Sequence, residues 1–224
     1  MNKPENVKKK KTPWPTKAVM EQIYDLKLWG GKDIDFYSGE GSHDPAFVDP
    51  YLDVVTSFFQ SKNSALIVCD LGCGDFNIGK RLVSHTKQYI GIDIVQSLID
   101  RNKKIHNQKN LEFHCLDIAT DPIPSGNCVL LRQVLQHITN AEIQQILEKI
   151  ADFQYAIITE HLPTGDFEPN KDIISGQGIR LKKQSGVDIL SSPFQFKVKE
   201  KKQLLSIPLP DHKSNIVTTL YTIN

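Results

Sequence analysis

No apolar run in this chain of 224 residues approaches the length of a membrane span, so no helical crossing of a bilayer is expected. Net charge is almost absent: 27 Lys and Arg against 26 Asp and Glu leave +1, and no global field recruits nucleic acid or an anionic membrane. Cysteine is scarce, with Cys69, Cys73, Cys115 and Cys128 each in or beside an apolar run. The C-x3-C spacing of the first pair has no matching second pair, which speaks against a zinc site, and no metal is expected. Buried, reduced thiols suggest a cytoplasmic protein. The basic N-terminus lacks the apolar core and small-residue cleavage site of a secretory signal. No internal repeat is present. What remains is ordinary for a globular chain, 39% hydrophobic and 24% charged, and long enough for one sizeable core with additions.

Organisation follows from periodicity. Residues 1–16, with lysines at 8–11 and prolines at 13 and 15, read as a basic flexible tail. Residues 17–62 read as an N-terminal helical cap and loop. A helix is expected over 16–28, with Thr16 as cap and Val19, Ile23 and Leu26 on one face, and another over 45–60. Between them lies a long polar loop, 29–44, with several glycines. Residues 63–224 read as the core. Apolar strand runs at 65–69, 89–92, 128–131 and 155–159, and an alternating run at 111–115, are interspersed with helical segments at 78–84, 97–106, 133–137 and 141–151. That alternation implies a parallel sheet covered on both faces. Past Glu160 it stops, and 161–192 reads as an irregular insertion. Two β-rich stretches, 194–198 and 216–223, are expected to close the sheet in antiparallel fashion.

The stretch Asp70-Leu-Gly-Cys-Gly-Asp-Phe-Asn-Ile-Gly79 follows the first strand run and opens a helix. Its glycines let a ligand approach the backbone at the carboxyl end of the sheet. A dinucleotide fingerprint would need glycine at 77, where Asn77 stands. Asp70, Asp93 and Asp117 end the first three strands, and Asp75 lies in the loop. Such a ring repels a diphosphate and attracts a ligand bearing an ammonium and a sulfonium, as S-adenosylmethionine does.

Asp70-Leu-Gly-Cys-Gly resembles the first motif of class I S-adenosylmethionine-dependent methyltransferases, although Phe76 replaces a third glycine common there. Tyr89-Ile-Gly-Ile-Asp93 is similar to their second motif, Phe113-His-Cys-Leu-Asp-Ile118 to their third, and Leu131-Arg-Gln-Val-Leu-Gln-His-Ile138 to the segment lining the methyl-transfer mouth. Trp29-Gly-Gly and Tyr37-Ser-Gly-Glu-Gly-Ser42 look like the N-terminal segment of a bacterial subgroup. The resemblance implies an α/β, Rossmann-like class I methyltransferase fold: a mostly parallel seven-stranded sheet, its last strand antiparallel, with helices on both faces. It implies S-adenosyl-L-methionine as cofactor, S-adenosyl-L-homocysteine as product, and roles for particular residues. Gly72 and Gly74 form the cradle, Asp70 meets the cofactor amine, Asp93 the ribose hydroxyls and Asp117 the adenine amine. Ile94 and Ile118 pack on the cofactor, while Trp29, Tyr37, Ser38, Gly39 and Arg132 close around it. Gln133, His137 and His161 are the catalytic candidates. Plainer roles stand beside these: Asp70 and Asp93 as helix caps, Asp117 as a turn former, His137 as a hydrogen-bonded structural residue.

The expected activity is methyl transfer to a small-molecule or glycan-type acceptor. Loop 29–44 and insertion 161–192 are available as covers over the cleft, and Tyr37, Ser38, His43, Asn170, Asp172 and Arg180 offer polar groups to an acceptor. Alternatives are a non-catalytic S-adenosylmethionine-binding partner subunit and an RNA methyltransferase. Nucleic acid is disfavoured by the neutral charge and by Leu131-Arg-Gln-Val134, which lacks the proline-aromatic segment of nucleic-acid amino methyltransferases. The acceptor atom and the oligomeric state are not legible.

Overall fold

The computed structural model describes residues 13–224, so the lysine run at 8–11 lies outside the described residues. Two helices come first, α1 (Thr16–Asp25) and α2 (Pro45–Ser61). Then strand and helix alternate: β1 (Ile67–Leu71), α3 (Gly79–Leu82), β2 (Gln88–Asp93), α4 (Gln96–Ile105), β3 (Leu111–Cys115), β4 (Cys128–Arg132), α5 (Asn140–Ile150) and β5 (Tyr155–Pro163). Strands β6 (Glu200–Pro208) and β7 (Ser214–Thr222) end the chain.

The sheet has seven strands in the order β3-β2-β1-β4-β5-β7-β6. Pairings among β1 to β5 are parallel, and β7 runs antiparallel between β5 and β6. Strands are added outward in opposite directions from β1 and β4, so their carboxyl ends part at a switch point where open α/β sheets bind ligands.

The pleat explains why the runs of β1, β2, β4 and β5 are largely apolar on both faces. Cys69, Leu71, Ile90, Ile92, Val129 and Leu131 point into one layer, with Met20 and Ile23 of α1 and Ile143, Ile146 and Ile150 of α5. Their neighbours Val68, Tyr89, Cys128 and Leu130 point into the other, against Val48, Tyr51, Val55 and Phe59 of α2. Among the described residues no helix is long and apolar enough to cross a membrane.

Two local expectations are corrected. Thr16 does not cap α1: Pro15 holds the cap position, and the Thr16 hydroxyl donates instead to Glu142. The alternating Phe194-Gln-Phe-Lys-Val198 is not a strand. Phe194 N–H donates to Ser191 O and Phe196 N–H to Ile189 O, and Gln195 takes a left-handed φ of 47°, so this is a turn with apolar anchors. The strand lies just beyond, at β6, whose Lys201, Lys202 and closing Pro208 are the charged, proline-ended pattern of an exposed edge.

Candidate active site

The glycine loop leaves β1 through backbone that side chains resist. Gly72 has φ +84°, and a Cβ there would stand 2.5 Å from Val134 Cγ2; at Gly74 (φ +56°) it would stand 2.4 Å from Ser38 Oγ. Phe76 also holds a positive φ, 63°. Its fully buried ring packs edge-on against Tyr89 and Phe113, which accounts for an aromatic where glycine is common. The loop is tied to the neighbouring strand: Gly72 and Cys73 N–H donate to Ile92 O, Gly74 N–H donates to Asp93 Oδ2, and Asn102 Nδ2 donates to Gly74 O.

One cavity of about 520 Å³ opens over this loop, within the ~300–1000 Å³ range of ligand pockets. Asp70, Asp93 and Asp117 all line it. Asp70 accepts from the Tyr89 hydroxyl at 2.8 Å, and burial pushes its carboxyl up to about 7. Asp93 accepts from Gly74 N–H and Val95 N–H, and burial raises it to about 6. Asp117 accepts from Ala119 N–H. Gly72, Gly74, Ile94, Ile118, Trp29, Ser38, Gly39, Arg132, Gln133, His137 and His161 line the same cavity. Tyr37 does not: it stacks on His43 with ring centroids 4.4 Å apart and covers Gly31.

Asp75 also stands apart from the other acids. Its carboxylate takes the Ser38 N–H and lies 2.5 Å from His43 Nε2, while its own N–H donates to Ser38 Oγ. Asn77 Nδ2 donates to Ser42 O, and Arg132 donates to Gly41 O and Ser42 Oγ. Loop 29–44 is thereby closed down on the glycine loop and on the end of β4. Replacing Asp75 by Asn removes the charge that holds Ser38 and His43. Proteolysis at Glu40 is expected to accelerate several-fold in Asp75→Asn and to slow again with S-adenosylhomocysteine; equal rates in wild type and variant would mean the latch holds nothing.

The insertion after β5 is more than a cover. Arg180, 1% exposed, donates to Leu135 O, Ile138 O and Asn140 Oδ1. Asn170 is buried, donating to Asp188 O and Ser192 O. Asp172 accepts from Asn140 N–H. These groups, read from sequence as available to an acceptor, are internal struts. Gln177, Gly178, Ile179 and Lys182 do reach the cavity.

At the end of β4, Arg132 lies 4.8 Å over the Tyr51 ring, and its Nε and the Gln133 Nε2 are buried donors without a partner among the described residues. Gln133 holds a positive φ of 58° there. Such strain and such orphans mark ligand sites. Beyond them sit two histidines joined through Gln136. His161 Nδ1 lies 2.9 Å from Gln136 Oε1, Gln136 Nε2 lies 3.3 Å from His137 Nε2, and His137 Nδ1 lies 3.1 Å from Gly176 O. Desolvation lowers both imidazoles to about 4, and the Arg132 charge adds to the effect on His161.

Sequence reading missed Met20, Tyr24, Leu116, Glu142 and Ile146 in the lining. Glu142 carried a signal: Thr139-x-x-Glu142 is a capping box, formed here, and the same carboxylate also takes the Thr16 and Ser175 hydroxyls.

The site defines a Rossmann-like α/β protein with a ligand cleft at its switch point. Residues 68–153 match the family model described as a methyltransferase domain. The match runs from β1 to just past α5 and takes in the glycine loop with Asp70, Asp93 and Asp117. No curated protein matches it by sequence. Among solved structures it is similar to the N-methyltransferase NodS from Bradyrhizobium japonicum WM9 in complex with S-adenosylhomocysteine: TM-score 0.65, 10% identity, 92% of this chain and 100% of that one covered. It is also similar to magnesium protoporphyrin IX methyltransferase (ChlM) from Synechocystis PCC 6803 with bound S-adenosylmethionine: TM-score 0.55, 16% identity, 94% and 99% covered. Human N-acetylserotonin methyltransferase in complex with S-adenosylmethionine gives a TM-score of 0.57 at 14% identity, with 93% and 60% covered. At such identities the likeness carries the fold.

Proposed function

We propose that this protein transfers the methyl group of S-adenosylmethionine to a small-molecule or glycan-type acceptor. The observation that carries the reading is one continuous cavity with the acids Asp70, Asp93 and Asp117 in its wall together with Gln133, His137 and His161. The residues present suit the cofactor. The Gly72 and Gly74 cradle admits no Cβ, the acids suit an ammonium and a ribose diol, and Ile94 and Ile118 offer apolar walls. Bound S-adenosylmethionine supplies an electrophilic methyl group, and the chain's task is to align a nucleophile with it and keep water out. Enclosure by α1, the 38–42 turn and the 177–182 segment favours a small acceptor over a polymer strand. Thermal shift with S-adenosylhomocysteine against a nicotinamide dinucleotide tests the cofactor. Labelled methyl transfer into fractionated cell extract, read by mass spectrometry, tests the acceptor; incorporation only into RNA would overturn the small-molecule reading.

The acids make binding pH-dependent. A cationic ligand prefers Asp70 and Asp93 ionised, and burial keeps their protons on up to about 7 and 6. Affinity for S-adenosylmethionine is therefore expected to rise through pH 6–7 and level off near 8, by roughly tenfold overall. Calorimetry in buffers of different ionisation enthalpy should register proton release on binding. Constant affinity across that range would place the cation away from these acids.

A further inference from the structure

Two fixed backbone groups settle the protonation of both histidines. His161 N–H, which can only donate, lies 3.1 Å from Gln136 Oε1, so that atom is the amide oxygen and Gln136 Nε2 is the donor facing His137. Gly176 O, which can only accept, fixes the proton of His137 on Nδ1. His137 Nε2 is then the acceptor of the Gln136 amide, and both its nitrogens are engaged. Gln136 Oε1 takes the His161 Nδ1–H, which leaves the lone pair of His161 on Nε2. That nitrogen has no partner among the described residues, is not sealed off as Arg132 Nε is, and belongs to a cavity-lining side chain.

We infer that His161 Nε2, and not His137, is the proton acceptor of this site, that Gln136 positions it, and that the methyl acceptor is a hydroxyl compound. The inference rests on the methyltransferase reading above and narrows its substrate class. Gln136 is neutral and Arg132 is positive, so nothing beside His161 stabilises an imidazolium in the resting site. An amine acceptor would yield an ammonium whose proton such an imidazole could not take, and it would meet the Arg132 charge on entry. A carboxylate would offer Nε2 no hydrogen. A hydroxyl fits: as its oxygen bonds to the methyl carbon it turns from a weak acid into a strong one. In that step the new C–O bond forms as the methyl donor's C–S bond breaks. The C–S pair leaves with sulfur, and the hydroxyl proton passes to His161 Nε2.

The test is histidine-selective ¹⁵N NMR on the full chain saturated with S-adenosylhomocysteine. Both residues should show the Nδ1–H tautomer at neutral pH. Ethylene glycol at molar concentration should move the His161 Nε2 resonance and leave His137 unmoved, and methylammonium should move neither. In Gln136→Glu, the His161 pKa should climb from about 4 towards the ordinary histidine range, which a purely packing role for Gln136 would not produce. An Nε2–H tautomer at His161, a glycol response at His137, or no response at His161 overturns the assignment while the methyltransferase reading stands. Failure to bind S-adenosylhomocysteine overturns both.

Discussion

Arg180→Met is expected to lower stability by about 3–5 kcal/mol, because three charge-assisted hydrogen bonds vanish and their acceptors stay buried. The melting temperature should fall by roughly 10 °C for a domain of this size. The reason is local. The short turn Leu135–His137 is gripped from two sides: Glu160 accepts from Leu135 N–H and Gln136 N–H, and Arg180 donates to Leu135 O and Ile138 O. Glu160 lies in β5 just past its pairing with β4, and Arg180 comes from the insertion, so one turn binds sheet and insertion together. Burial raises the Glu160 carboxyl to about 8, against the N–H donors and the Arg180 charge. The fold therefore keeps a proton that the unfolded chain releases in the ordinary carboxylate range. That contribution is complete at low pH and is lost as pH rises towards 8, and without Arg180 the decline should run to higher pH. Chemical denaturation at pH 5 and pH 8 checks this; an Arg180→Met protein as stable as wild type at both would mean that the turn holds itself.

The same grip shows what a sequence can and cannot disclose. Strands β1, β2, β4 and β5 were legible because parallel strands buried on both faces are largely apolar, as Ile67, Val68, Cys69 and Leu71 are, and edge strand β3 because Leu111, Phe113 and Cys115 alternate with Glu112 and His114. Asp70, Asp93 and Asp117 were legible because each ends or follows such a run next to a turn. Edge strand β6 was not, since one side of it meets water, and its Glu200, Lys201 and Lys202 look like a loop. The division of labour between the histidines was equally hidden. His137 and His161 differ through Gln136 and Gly176, the latter 39 residues from His137 and joined to it only by folding. The insertion misled for a related reason. Arg180, Asn170 and Asp172 have the composition of a solvated lid, yet each satisfies backbone groups of a turn or loop that sequence distance conceals. Asp75 looks in sequence like one more acid of the cleft, whereas in the fold its carboxylate holds Ser38 and His43.

Asp93→Ala is expected to weaken S-adenosylhomocysteine binding by about 2–4 kcal/mol, roughly 30- to 1000-fold, the scale of charged hydrogen bonds to a buried diol. The residue stands where the proposed ribose would lie: last in β2, 7% exposed, lining the cavity. It also does structural work there, accepting from Gly74 N–H and Val95 N–H, so alanine would loosen the glycine loop as well. Asp93→Asn separates the two effects. Its amide oxygen can still accept from Gly74 N–H, so the glycine loop should keep its tie while the bond from Val95 N–H is lost. The lost charge and the unwelcome amide hydrogens should still cost most of the ribose interaction. The pH profile offers a third reading, because the wild-type carboxyl titrates near 6 and the asparagine does not. In Asp93→Asn, the fall of affinity below pH 7 should flatten to what Asp70 alone contributes. Calorimetry on the folded variants decides: if Asp93→Asn binds S-adenosylhomocysteine as tightly as wild type across that range, Asp93 is only a brace for the glycine loop and the ribose lies elsewhere.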